Sequence, residues 1–196
     1  MVGDFDVELF KWINADAGKN MSSDRLAILF SQGGPYMLML ALIAFWLISE
    51  DGRKCVLLEA VEASVLGLAI NQIIAFLYFH PRPYMVGLCL PLVPHAPETS
   101  FPSDHATLLF SAAIYLLLFG SWIRAGSFLL LIALLTAWGR VYSGIHFPLD
   151  MLGSFGVAIL ASCLTYWLKS CVRPLNELLI ILYRRVLSVV YQNRSQ

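Results

Sequence analysis

Long apolar runs constrain this chain more than any other feature. "YMLMLALIAFWLIS", "FLLLIALLTAW" and "MLGSFGVAILASCLTYWL" are three of them. A helix that crosses the hydrocarbon core of a bilayer needs roughly 20 mostly apolar residues, and such runs form the centres of spans of that kind. Inside a bilayer every backbone N–H and C=O must be satisfied within the protein, which favours helices. Charged residues make up 13% of the chain and hydrophobic residues 59%, whereas soluble domains carry about 25% charged residues. The expected fold is all-α: a polytopic transmembrane helical bundle of about five to six spans. Too little polar sequence remains for a second domain, so residues 1–196 read as one membrane-embedded unit.

Spans are expected at about 24–49, 55–79, 104–120, 125–142 and 148–170, with "SQGGPY" loosening the first. Residues 4–14 alternate apolar and charged side chains, which predicts a short amphipathic helix at the membrane interface. They do not read as a cleaved signal peptide. The tail from Arg173 has too short an apolar stretch before Arg184 and Arg185 for a full span, so a second amphipathic surface helix is expected there. Pro81, Pro83, Pro91, Pro94, Pro97 and Pro102 crowd the loop between spans two and three and predict a fixed, non-helical path. The formal net charge is zero, which gives no reason to expect nucleic acid. The four cysteines show no CxxC pairing, and a structural disulfide is not expected.

If successive connections alternate sides, Arg53, Lys54, Arg124, Lys169, Arg173, Arg184, Arg185 and Arg194 share one side. Lys11, Lys19, Arg25, Arg82 and Arg140 share the other. The more basic side is expected to face the cytoplasm. The protein then reads as a multi-pass membrane protein. Its N-terminus, its long loop and all four histidines (His80, His95, His105 and His146) face the periplasm or exterior.

Three polar clusters meet on that outward side: "FHPRP" with His80 and Arg82, "SFPSDH" with Ser103, Asp104 and His105, and "GRVYSGIHFPLD" with Arg140, His146 and Asp150. Two guanidinium groups suit a phosphate dianion, which they bind bidentately. Ser103 falls where a helix should begin, and free N–H groups there attract anions. Two histidines with a carboxylate can supply a nucleophile, a general acid and an orienting base. Each feature also has a plainer explanation. Ser103, Asp104 and Asp150 could cap helices, and the arginines could snorkel to the interface. Capping alone does not call for two arginines and two histidines at four helix ends on one side.

The clusters resemble the three-part signature of the type 2 phosphatidic-acid phosphatase superfamily, K-x6-R-P, P-S-G-H and S-R-x5-H-x3-D. Here the parts are Arg82-Pro83, Pro102 to His105, and Arg140, His146 and Asp150, all within 75–150. The resemblance implies that His146 is the nucleophile, Asp150 orients it, and His105 protonates the leaving group. It also implies that Arg82, Ser103 and Arg140 bind phosphoryl oxygens, with Asp104 and His80 in the same phosphate-binding set, and that neither a metal nor another cofactor is needed. Three positions depart from the signature: Ala75 for its lysine, Asp104 for its glycine and Gly139 for its serine. His80 or Asn71 could replace the lysine, and His80, beside Arg82, is the better candidate. Gly139 implies a slightly different phosphate pocket. "FHPRPY" and "SFPSDH" are similar to the bacterial undecaprenyl-diphosphatase branch of bacitracin-resistance type. That branch implies a polyprenyl diphosphate lipid as substrate and the bilayer as partner. Other lipid phosphatases of the superfamily, a metal-dependent hydrolase, and a non-catalytic lipid-binding or transport protein are the alternatives. Glu59 and Glu62 enter the second span. Glu59 is expected to stay wet, and Glu62, about 12 Å into the helix, to hydrogen-bond a neighbouring helix.

Overall fold

The computed structural model describes residues 3–194. Six α-helices run as α1 (Asp4–Asn14), α2 (Met21–Ile48), α3 (Asp51–Leu77), α4 (Asp104–Leu118), α5 (Ile123–Tyr142) and α6 (Pro148–Arg194). Among the described residues, α2, α3, α5 and the Pro148–Val186 part of α6 are long and apolar enough to cross a membrane, and α4 is a shorter apolar helix. The chain is a multi-pass membrane protein. The junctions α1–α2, α3–α4 and α5–α6 lie at one end of the bundle, called the site end below.

Helix α4 is the hub, packed on α3, α5 and α6, while α2 rests chiefly on α5 and barely touches α3. Ala106, Leu109, Ala112, Ala113, Tyr115 and Leu116 of α4 are fully buried. A helix apolar on all sides belongs at the centre of such a bundle. Its 15 residues span only about 22 Å, short of the roughly 30 Å hydrocarbon core. The segment 78–103, regular only in a 3-10 turn at Pro83–Val86, leads into α4. Backbone of that kind is tolerated at depth where it lines a cavity or lies buried in protein.

Three sequence expectations change here. The Gly33-Gly34-Pro35 stretch does not interrupt α2; Gly34 instead sits directly against Thr136 of α5, where a side chain would collide. The tail is not a separate surface helix, because α6 continues through Pro174. Beyond that proline Asn176 and Ile180 are buried. Tyr183 meets Trp46 edge-on, with ring centroids 5.4 Å apart, and Arg184 pairs with Asp51 at the start of α3. Apolar packing on α2 and α3 thus carries the helix past the basic pair. Of the two acids of α3, the one that bonds a neighbouring helix is Glu59. Glu59 accepts a hydrogen bond from Tyr115 Oη of α4 at 2.8 Å, whereas Glu62 lies beside Asn176 without reaching hydrogen-bond geometry at its buried Oε2.

Candidate active site

The loop between α3 and α4 is held in shape by its own side chains. His80 N–H donates to Thr99 Oγ1 at 3.0 Å, and Ser100 N–H donates to His80 O at 2.7 Å. Arg82 clamps the fold from inside. It donates from Nε to Glu98 O, from Nη2 to Thr99 O and from Nη1 to Ile145 O, all at 2.9–3.1 Å. The hairpin from α5 to α6 turns at Gly144, whose φ of +79° is a left-handed conformation that glycine adopts without steric cost. This hairpin carries His146, which is 1% exposed.

His146 has two differently engaged nitrogens. Arg82 Nη1 and Arg140 Nη2 donate to its Nε2 at 3.0 and 3.1 Å. Guanidinium groups have no acceptor, so Nε2 bears the lone pair and Nδ1 the proton. The Nδ1–H faces Ser100 Oγ at 3.3 Å and Asp150 Oδ2 at 3.5 Å. Ser100 in turn donates to Asp150 Oδ2 through a short hydrogen bond. Burial pushes the His146 imidazole down to about 3; the hydrogen bond to Asp150 opposes this, while Arg140 and Arg82 add to it. The imidazole is therefore neutral, as a nucleophile must be.

Asp150, fully buried in the first turn of α6, also accepts from Phe147 N–H at 2.7 Å and from His80 Nδ1 at 3.1 Å. Its carboxylate caps α6 and holds the histidine at once, so the plain and the functional roles are both filled.

A cavity of about 400 Å³ opens in front of His146. Arg82, Asp104, His105, Arg140 and His146 line it, joined by His95, Glu98 and Thr99 of the loop and by Asn71, Gln72 and Ala75 of α3. Ser103 is buried just behind Pro102. Its N–H donates to Ser154 Oγ at 2.9 Å and its own Oγ has no partner, so Ser103 does not cap α4 through its side chain. His80 does not line the cavity. It stands on the far side of Asp150 and cannot stand in for the absent lysine. Asn71, the second candidate, does line it, but donates to Asp104 Oδ1 at 2.8 Å and Thr107 Oγ1 at 3.0 Å. Gly139 faces away from the cavity. A Cβ there would lie 2.7 Å from Ala27 O and 3.0 Å from Ser31 N, so the missing serine reflects close packing of α5 on α2, not a rebuilt phosphate pocket.

Two neighbours of His146 had no signal in the sequence. Ser100 is one serine among several polar residues of the loop. His95 belongs to no sequence cluster, yet it lines the cavity and accepts from Arg140 Nη2 at 3.2 Å. Burial, with the two arginines, keeps His95 below its ordinary value, against a hydrogen bond to Ala96 that raises it.

Residues 56–172 match the family model described as PAP2 superfamily, and the matched stretch contains every one of these cavity-lining residues. The chain belongs to the PAP2 superfamily. It is a membrane lipid phosphatase of that family. A Bacillus subtilis relative named undecaprenyl-diphosphatase BcrC is 32% identical over 92% of this chain and 93% of its own. A Bacillus licheniformis relative named bacitracin transport permease protein BcrC is 28% identical, covering 93% of this chain and 89% of its own. The crystal structure of Aquifex aeolicus LpxE shares the PAP2 fold, with a TM-score of 0.69 at 24% identity over 83% of this chain and 95% of that one.

Proposed function

We propose that this PAP2 phosphatase removes the terminal phosphate of undecaprenyl diphosphate at the outer face of the bacterial cytoplasmic membrane, through a phosphohistidine on His146. One observation carries the mechanism. A neutral imidazole presents its Nε2 lone pair to the cavity between two guanidinium groups, while Nδ1–H is tethered to Ser100 and Asp150. An entering phosphoryl group draws both arginines onto its oxygens and frees Nε2 to attack phosphorus. Ser103 Oγ, buried without a partner, supplies a further donor, since buried polar groups are normally hydrogen-bonded. The first N–H groups of α4 lack intrahelical acceptors and add to the anion site.

Attack forms the P–N bond and breaks the anhydride P–O bond. His105, on the cavity wall, gives its proton to the departing lipid monophosphate. Water then loses a proton to His105 and attacks phosphorus, the P–N bond breaks, and inorganic phosphate leaves. Asp150 stabilises the imidazolium charge that develops in both steps.

The substrate assignment rests on the undecaprenyl-diphosphatase relative, alike along nearly its whole length, and on a polar cavity at the end of an apolar bundle. A polyprenyl tail can stay in lipid while its diphosphate enters. The monophosphate product returns to the cell-wall lipid carrier, and bacitracin, which sequesters the diphosphate, is opposed. The permease name of the other relative suggests a transport reading. A buried nucleophile with its orienting carboxylate favours hydrolysis.

Purified protein in lipid vesicles should release phosphate from undecaprenyl diphosphate, faster than from phosphatidate, phosphatidylglycerol phosphate or a lipid A phosphate. It should do so equally with chelator present, and His146→Ala should abolish release. A preference for a glycerolipid would overturn the substrate, loss of activity with chelator the metal-free route, and an active His146→Ala the mechanism.

A further inference from the structure

Helix α1 lies outside the family match, yet one of its faces is built onto the hairpin that carries His146. Asp6, Phe10 and Asn14 recur every four residues and so share one side of the helix. Each meets a different part of the hairpin. Asn14 Nδ2 donates to Tyr142 O at 2.7 Å, at the α5 end. Phe10, 1% exposed, packs edge-on against Phe147 with ring centroids 5.5 Å apart. Asp6, 2% exposed, accepts from Leu149 N–H at 3.0 Å, at the α6 end.

That last bond fills a local gap. The first N–H groups of a helix need outside acceptors, and Phe147, just ahead of α6, has no side-chain acceptor to offer. Asp6 therefore caps α6 from another helix, one residue from Asp150. The opposite side of α1 is different. Phe5 and Trp12, seven residues apart, lie about 150° round from the inner face at 100° per residue. They are 69% and 78% exposed. Large exposed rings on an amphipathic helix at the end of a membrane bundle suit the lipid interface.

We propose that α1 is a membrane-anchored splint for the nucleophile: Asp6, Phe10 and Asn14 hold the hairpin that aims His146, and Phe5 and Trp12 seat the splint in the lipid interface. The proposal rests on His146 being the nucleophile. Asp6 is a positioning residue, since it reaches His146 only through the start of α6.

The test uses the full chain in vesicles, with kcat and KM measured on undecaprenyl diphosphate. The His146 ring is followed by nitrogen NMR. Asp6→Ala should lower kcat about tenfold, the scale of a lost helix cap, with KM nearly unchanged. It should also replace one Nδ1–H signal of His146 by several. Asp6→Asn keeps an acceptor oxygen and should restore both. Asn14→Ala should move both in the same direction, which covers an Asp6→Ala that fails to fold. Phe5→Ser with Trp12→Ser should lower kcat in vesicles. If Asp6→Ala or Asn14→Ala lowers the melting temperature but leaves kcat and the His146 signal as in the parent, α1 is only structural and the splint is overturned. An unchanged kcat in the Phe5 and Trp12 variant overturns the anchor. An active His146→Ala would instead sink the nucleophile assignment, while the NMR signal still reports on the splint.

Discussion

Each guanidinium has five N–H donors, and the two arginines of the site spend them differently. Arg82 commits one to each of three backbone carbonyls and one to His146, so it is largely a brace for the loop. Arg140 Nε is buried with no partner, its Nη1 bond to Ser31 O is long at 3.4 Å, and its Nη2 donates to His146 and His95 at the cavity; it braces little backbone, so its donors can turn to phosphate. Arg140→Lys should therefore raise KM and lower kcat with little change in melting temperature, whereas Arg82→Lys should lower the melting temperature as well. Ser100 bridges His146 and Asp150 more closely than they approach each other. Ser100→Ala should lower kcat about ten- to a hundredfold, the scale of one lost hydrogen bond to a charged group. A parent-like kcat in that variant would mean that Asp150 orients the ring unaided. The depressed pKa of His146 has a stability consequence. Its ordinary value is 6.5 and its folded value about 3, so below about pH 6.5 the unfolded state binds the extra proton. Stability should fall by up to about 1.4 kcal/mol per pH unit from this group, until the folded state protonates too. Lowering the pH from 7 to 5 should reduce the melting temperature more for the parent than for His146→Asn.

At the scale of elements, the seam between α2 and α5 depends on small residues. Gly139 touches the α2 backbone through Ala27 and Ser31, and Gly34 touches Thr136. Restoring the family serine with Gly139→Ser should destabilise the protein by about 1–3 kcal/mol, the cost of overpacking, and shift Arg140 in the same turn. A thermal melt that matches the parent would contradict this packing. Much of the layout was legible in the sequence, because spans are set by apolar length and the Pro81 to Pro102 loop separates the second from the third. The three clusters were legible because they sit at helix ends on one side. Long-range partnerships were not. His80 follows the backbone pairing with Thr99 and Ser100 and so faces Asp150, not the cavity. The α6 extension persists because Tyr183 and Arg184 find partners on other helices, which no local pattern reports.

For the whole molecule, the bundle places every proposed catalytic group at one end and Asp51 with Arg184 at the other. The charge balance predicts which end faces outward. In a protein whose native cysteines are replaced by serine, Leu90→Cys, 91% exposed in the site-end loop, should react with a membrane-impermeant thiol reagent on intact cells. Gly52→Cys should react only after permeabilisation, and the reverse pattern would invert the topology. The covalent step itself can be caught. Undecaprenyl diphosphate carrying a labelled terminal phosphate is mixed with the protein, the reaction is quenched within one turnover, and peptides are mapped by mass spectrometry under conditions that preserve phosphohistidine. The label should appear on His146 and decay as inorganic phosphate is released. Label on another residue, or release of phosphate with no labelled peptide at any time, would contradict nucleophilic catalysis by His146.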